Sequence, residues 1–143
     1  WRVGWITHPE YLGEHIAKLV QISTTGVPEF IQKGFIEALK NHEFLVKDVM
    51  KNLHVSRDFV YNKMKNWTKL KISKPESAFY FFFKAHDAKD SISFCKNLIK
   101  KTQVGLAPGV AFGKTGDNFL RLCFAADVKF LENILNRLEE EFN

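Results

Sequence analysis

The sequence predicts an α/β fold of the α+β kind: a small mixed or antiparallel sheet covered by helices and reached through a long helix. Three observations predict it. The apolar period switches from helical to two-residue just after Trp67. No Gly or Pro interrupts Glu43–Trp67. Beyond that point, aromatic and leucine-rich strands alternate with helices that begin at aspartates.

The elements follow in order. Residues 1–7 (WRVGWIT) alternate small or polar with bulky apolar side chains and stop at His8-Pro9, which predicts a short strand. Pro9 suits the first position of a helix over residues 9–22, with Leu12, Ile16, Leu19 and Val20 on one face. Thr24–Pro28 breaks the chain. Pro28 opens a second helix with Phe30, Ile31, Phe35 and Leu39 inward, ending at Asn41-His42. Leu45, Val49, Leu53, Val60, Met64 and Trp67 then keep near-helical spacing, with Ser56 filling the gap. That predicts one helix over 43–67, about seven turns long.

Leu70 and Ile72 next alternate with lysines up to Lys74-Pro75. Ala78–Ala85 (AFYFFFKA) reads as an aromatic strand. Asp87 or Asp90 can cap a helix over 89–101, with Ile92, Cys95, Leu98 and Ile99 inward. Val104–Leu106 reads as a short strand, and 107–117 as a loop dense in Gly and Pro. Phe119–Ala125 is a strand that puts Phe119, Arg121, Cys123 and Ala125 on one face. Asp127 caps a last helix with Leu131, Ile134, Leu135, Leu138 and Phe142 inward. Residues 68–143 therefore form a body of βαββα units. Residues 1–42 are too thin to be a domain alone and would need a further sheet to cover.

Composition narrows the function classes. The chain has 143 residues, 45% apolar and 26% charged, which is a globular and not a disordered balance. Its longest fully apolar run, Ala78–Phe83, is far too short to cross a bilayer. Trp1–Trp5 has neither an initiator Met nor a signal sequence and reads like the middle of a longer protein. Two cysteines, Cys95 and Cys123, exclude a disulfide-rich fold. His8, His15, His42, His54 and His86 form no HxxH or HxxxH pair, so no metal is expected. The net charge of +5 is spread out: 9 basic against 7 acidic side chains in residues 1–67, and 12 against 9 in 68–143. A spread excess favours a solvated surface over a nucleic-acid groove.

One stretch is more specific. Val104, Pro108, Gly109, Phe112, Gly113, Gly116, Arg121, Leu122, Phe124 and Ala125 fill every fixed position of V-x-x-x-P-G-x-x-F-G-x-x-G-x-x-x-x-R-L-x-F-A. This resembles the C-terminal signature of class I/II aminotransferases, the fold type I pyridoxal-phosphate enzymes, in their aspartate-aminotransferase-like branch. Pro75–Tyr80 is similar to the family's P-x-G-A-F-Y strand, with Ser77 where Gly is usual. Trp1–Trp5 is similar to the G-W-R-x-G-W segment that follows the cofactor-bonding lysine. Thr24–Gln32 sits where family members start a helix with Ser, Thr or Pro. The resemblance spans the chain, in order.

What the resemblance implies is taken residue by residue. Arg2 occupies the position that holds the cofactor phosphate. Arg121 occupies the position that clamps the substrate α-carboxylate, a task for which a planar guanidinium fork is suited and an ammonium is not. The lysine falls eight residues before Arg2, outside these residues, so no catalytic residue is expected in the chain and the chain alone is expected to be inactive. The implied domains are 1–42, the end of the large cofactor-binding domain; 43–67, an interdomain helix; and 68–143, the C-terminal small domain. The implied protein is a cytoplasmic homodimer that uses pyridoxal 5'-phosphate to move an amino group between an amino acid and a 2-oxo acid. It needs no nucleic acid and no membrane.

Other readings stand beside these. Arg2 could stack on Trp1, and Arg121 could form a structural ion pair with Asp117 or Asp127. The Gly-rich run 105–116 is weak as a phosphate cradle because no helix starts right after it. Phe79–Phe83 is expected to be core or interface, and Cys123 a buried, inert thiol. Val46–Met64 mimics a helix-turn-helix DNA reader, although Leu53-His54 replaces the usual turn glycine and the apolar phase does not shift there. A stand-alone interaction module is a third possibility.

Overall fold

The computed structural model describes residues 2–143. The chain divides into two compact units, Trp1–Asp48 and Val49–Asn143.

In the first unit a single turn at Glu10–Leu12 leads into α1 (Gly13–Thr24). Thr25 and Gly26 adopt positive φ, 61° and 110°, and the Thr25 amide donates to the Val20 carbonyl to end the helix. Pro28 is extended and caps α2 (Glu29–Lys40), so the helix begins one residue after it. The strand expected over residues 1–7 does not form: residues 2–9 are neither helix nor strand, and Trp1 lies outside the described residues. A strand needs a neighbour for its N–H and C=O groups, and no described strand pairs with this segment. The Trp5 and Phe35 rings meet at 5.6 Å, but no described residue up to Asp48 is fully buried.

The helix α3 (His42–Met64) crosses from the first unit into the second without interruption, and Leu53, His54 and Val55 are helical. This overturns the helix-turn-helix alternative for residues 46–64, which requires a turn there. Its second half buries Ser56, Val60 and Met64, four residues apart on one face. The Ser56 hydroxyl donates to the Ala126 carbonyl at 2.7 Å, satisfying a polar group in an apolar seam.

The sheet has the order β1-β2-β4-β3 and is antiparallel throughout: β1 is Leu70–Lys71, β2 Tyr80–Ala85, β3 Ala107–Pro108 and β4 Phe119–Cys123. Between β2 and β4 lies α4 (Ser91–Thr102), and α5 (Val128–Phe142) closes the chain. Asp90 caps α4 by accepting from the Ile92 and Ser93 amides, and Asp127 caps α5 by accepting from the Phe130 amide. The third strand starts later than Val104–Leu106. Val104 and Leu106 are buried, and the Val104 amide donates to the Thr102 hydroxyl, so this stretch finishes α4 before pairing begins.

Phe81, Phe83, Leu120 and Leu122 point from the sheet into a core shared with Val60, Met64, Leu98, Leu131, Leu135, Leu138 and Phe142. Each fully buried Leu or Phe stabilises by roughly 1.5–3 kcal/mol. The last helix therefore holds to the sheet through its stripe rather than through its propensity. Among the described residues, no helix is long and apolar enough to cross a membrane.

Outside this core, Asp58 on α3 lies 2.8 Å from Arg57 Nε and 2.9 Å from Lys74 Nζ. The hydrogen bonds from Arg57 and then Lys74 lower its pKa from the ordinary 3.8 to about 2. The folded-state value is depressed, so the contribution to stability is present above pH 3.8 and is lost as the pH falls through about 2. A carbon-detected NMR titration should place the Asp58 midpoint near 2, and Lys74→Ala should move it up toward 3.8. An unchanged midpoint in that variant would contradict the pairing.

Candidate functional site

The outward face of the sheet carries Tyr80, Phe82, Phe119, Arg121 and Cys123. Alternation requires this, since Phe81, Phe83, Leu120 and Leu122 are taken by the core. Arg121 stands opposite Phe82 on one side and Ala107 on the other. Its guanidinium carbon lies 4.2 Å from the centroid of the Tyr80 ring and 4.2 Å from that of Phe112. Arg121 is half-buried. Among the described residues, no hydrogen bond or ion pair engages its N–H groups.

The two aspartates nearest in sequence bond elsewhere. Asp117 Oδ1 accepts from the Ser91 hydroxyl at 3.0 Å and from the Ser91 amide at 3.4 Å. Asp127 caps α5. The alternative of a structural ion pair between Arg121 and either aspartate is therefore not what the structure forms. The Ser91 hydroxyl, fully buried, also accepts from the Val110 amide at 3.4 Å. One serine thus ties the start of α4 to both ends of the loop that carries Phe112.

Two glycines let that loop fold back on itself. It makes two short 3-10 turns, Gly109–Phe112 and Lys114–Gly116. A Cβ on Gly109 would press into the Gly116 carbonyl oxygen and lie 2.6 Å from that of Phe119. A Cβ on Gly116 would strike the Gly109 carbonyl in return. Nothing but hydrogen fits at this backbone crossing. The Phe112 ring then meets Phe82 edge-on at 5.9 Å, and Phe82 stacks on Phe119 at 5.0 Å.

Arg2 lies in the first unit, exposed, and forms no ion pair or hydrogen bond with a described residue. Its stacking on Trp1 falls outside the described residues. Cys123 is exposed, not buried as expected, because Leu122 takes the inward position and Cys123 shares the outward face with Arg121. The buried thiol is Cys95, whose pKa burial raises. Of the aromatic run, Phe81 and Phe83 are core, while Tyr80 and Phe82 face Arg121. A cleft of about 510 Å³ opens where Leu53 and Ser56 face Ala125–Val128, but its only ionisable group is the capping Asp127. Among the described residues, no group of three His, Cys, Asp or Glu gathers that could hold a metal ion.

Residues 1–138 match the family described as aminotransferase class I and II. The chain belongs to the class I and II aminotransferase family. A probable aspartate aminotransferase of Methanocaldococcus jannaschii is 30% identical to it, over 99% of this chain and 39% of that protein. The aminotransferase fold is shared as well. The crystal structure of an aromatic aminotransferase from Pyrococcus horikoshii OT3 matches 93% of this chain and 36% of that one, with a TM-score of 0.80 and 29% identity. An aspartate aminotransferase from Thermotoga maritima matches 92% of this chain and 33% of that one, with a TM-score of 0.74 and 28% identity. The chain spans well under half the length of these aminotransferases.

Arg121 and Phe112 are both fixed positions of the motif, but nothing in its spacing shows that Phe112 and Tyr80 meet at the guanidinium. Tyr80 sits diagonally across the β2–β4 register, which no spacing along one strand reveals. The Gly109 crossing gives a direct prediction. Gly109→Ala should cost more than about 2 kcal/mol in chemical denaturation, from overpacking against backbone. Gly105→Ala, whose Cβ would find its nearest neighbour at 3.8 Å, should cost less than about 1 kcal/mol. Equal losses would contradict the crossing.

Proposed function

We propose that this chain is the C-terminal part of a pyridoxal-phosphate-dependent aminotransferase of the aspartate-aminotransferase-like branch, moving an amino group between an amino acid and a 2-oxo acid. On this reading, residues 1–42 end the large cofactor-binding domain, 43–67 are the interdomain segment, helical as far as Met64, and 68–143 the small domain. The absence of a buried side chain among described residues up to Asp48 supports the first assignment, since such a segment needs further chain to cover it. A homodimeric assembly and a cytoplasmic location belong to the same proposal.

The observation that carries the reading is Arg121. Its charge sits on a rigid strand, its plane lies against two rings, and no described carboxylate consumes its donors. A half-buried cation without a protein partner calls for an anion, and a bidentate fork matches an α-carboxylate. Tyr80 and Phe112 restrict water around the guanidinium, which strengthens that attraction.

Arg2 would hold the cofactor phosphate. The donor chemistry fits, for the guanidinium is exposed and unpaired among the described residues. When bound in the full-length protein, pyridoxal phosphate supplies the electron sink for amino-group transfer. The cofactor-bonding lysine of the family falls before Arg2, so these residues bind and orient but do not supply the amine. The chain by itself is accordingly inactive on this reading.

The test is substitution in the full-length protein. A charge-assisted pair contributes roughly 1.5–3 kcal/mol, so Arg121→Ala should lower kcat/KM for the amino acid by about tenfold to a hundredfold. Arg121→Lys should recover only part, because a point charge does not reproduce the fork. Cofactor absorbance should stay near wild type in both. Unchanged amino-acid turnover in Arg121→Ala would remove the substrate role.

A further inference from the structure

We propose that Tyr80 and Phe112 are positioning residues: together they fix the orientation of the Arg121 guanidinium while leaving its N–H edge free for the substrate carboxylate. The proposal rests on the reading of Arg121 as the carboxylate-binding group and adds to it how that group is held.

The need arises from the arginine itself. The strand fixes only its Cα and Cβ, and a long flexible stem separates these from the charge. An unheld guanidinium would lose rotamer freedom each time it gripped a carboxylate. Proteins commonly prevent this with an acidic partner, but such a partner occupies the same N–H groups the substrate needs. Here Asp117 is turned to Ser91 and Asp127 to α5, and the holding is done by two rings, each 4.2 Å from the guanidinium carbon. A ring face attracts a cation through its quadrupole and uses no N–H donor in doing so.

The rings are themselves fixed, and by separate devices. Tyr80 is placed by the ladder, paired with Cys123 and so diagonal to Arg121 on the same face. Phe112 is placed by its loop, which the Gly109–Gly116 crossing and the buried Ser91 hydroxyl hold in one conformation. Phe82, opposite Arg121, buttresses Phe112 edge-on at 5.9 Å.

The experiment compares donors that differ only in the α-carboxylate: L-aspartate against β-alanine, and L-phenylalanine against 2-phenylethylamine. Single-turnover rates are read from cofactor absorbance in the full-length protein. Tyr80→Leu and Phe112→Leu should each lower kcat/KM for the amino acid about threefold to tenfold and leave that for the amine within about twofold. Tyr80→Phe and Phe112→Tyr, which keep a ring, should keep the wild-type preference. Phe112 is exposed, so if Tyr80→Leu does not fold, Phe112→Leu decides alone. If Arg121→Ala abolishes the preference but the leucine variants keep it, the positioning role is wrong. It is equally wrong if the leucine variants slow amino acid and amine alike. If wild type shows no preference in either pair, or Arg121→Ala leaves it intact, the carboxylate reading of Arg121 fails first and the positioning role falls with it.

Discussion

The ladder between β2 and β4, from Tyr80 opposite Cys123 to Lys84 opposite Phe119, is the constraint on which the second unit depends. Each residue along it must face one way or the other. Phe81, Phe83, Leu120 and Leu122 face the core and hold α4, α5 and the end of α3 in place. Their neighbours are forced outward, and among them is a single arginine. A slip of β4 by one residue would turn that charge toward the core and expose Leu120 and Leu122, so the register that stabilises the fold also places the guanidinium.

The loop between β3 and β4 adds what the ladder cannot. Two glycines cross at backbone contact, and a buried serine bonds to Asp117 and to the Val110 amide. The result is a loop with little freedom, delivering Phe112 to the guanidinium. The same serine bonds Asp117, which lies close to Arg121 in sequence and forms no ion pair with it. The polar network that satisfies the start of α4 thus also fixes the loop beside the guanidinium.

Much of this was legible in the sequence, for reasons that are local. The caps at Asp90 and Asp127, the period of two in Tyr80–Ala85 and Phe119–Cys123, and the unbroken stripe through α3 are decided by neighbours along the chain. Arg121 was legible through an ordered motif. The failures share a different cause. Residues 2–7 alternate like a strand but meet no ladder. Val104–Leu106 alternates too, yet its first amide is taken by Thr102, and pairing starts at Ala107. Residue type favours a buried Cys123, but the register turns it outward. No local spacing pairs Tyr80 and Phe112 with Arg121, since they lie 41 and 9 positions from it in the chain and meet it only in the folded structure.

On the proposed reading, the outward face of the sheet presents a carboxylate-binding guanidinium held by aromatic rings. A crystal structure of the full-length protein with a bound amino acid or a non-reacting carboxylate analogue tests it most directly. Both carboxylate oxygens should lie within hydrogen-bond distance of Arg121, with the guanidinium still resting against Tyr80 and Phe112. A carboxylate bound away from Arg121, or an Arg121 engaged by an acidic side chain of the protein in the liganded state, would contradict it.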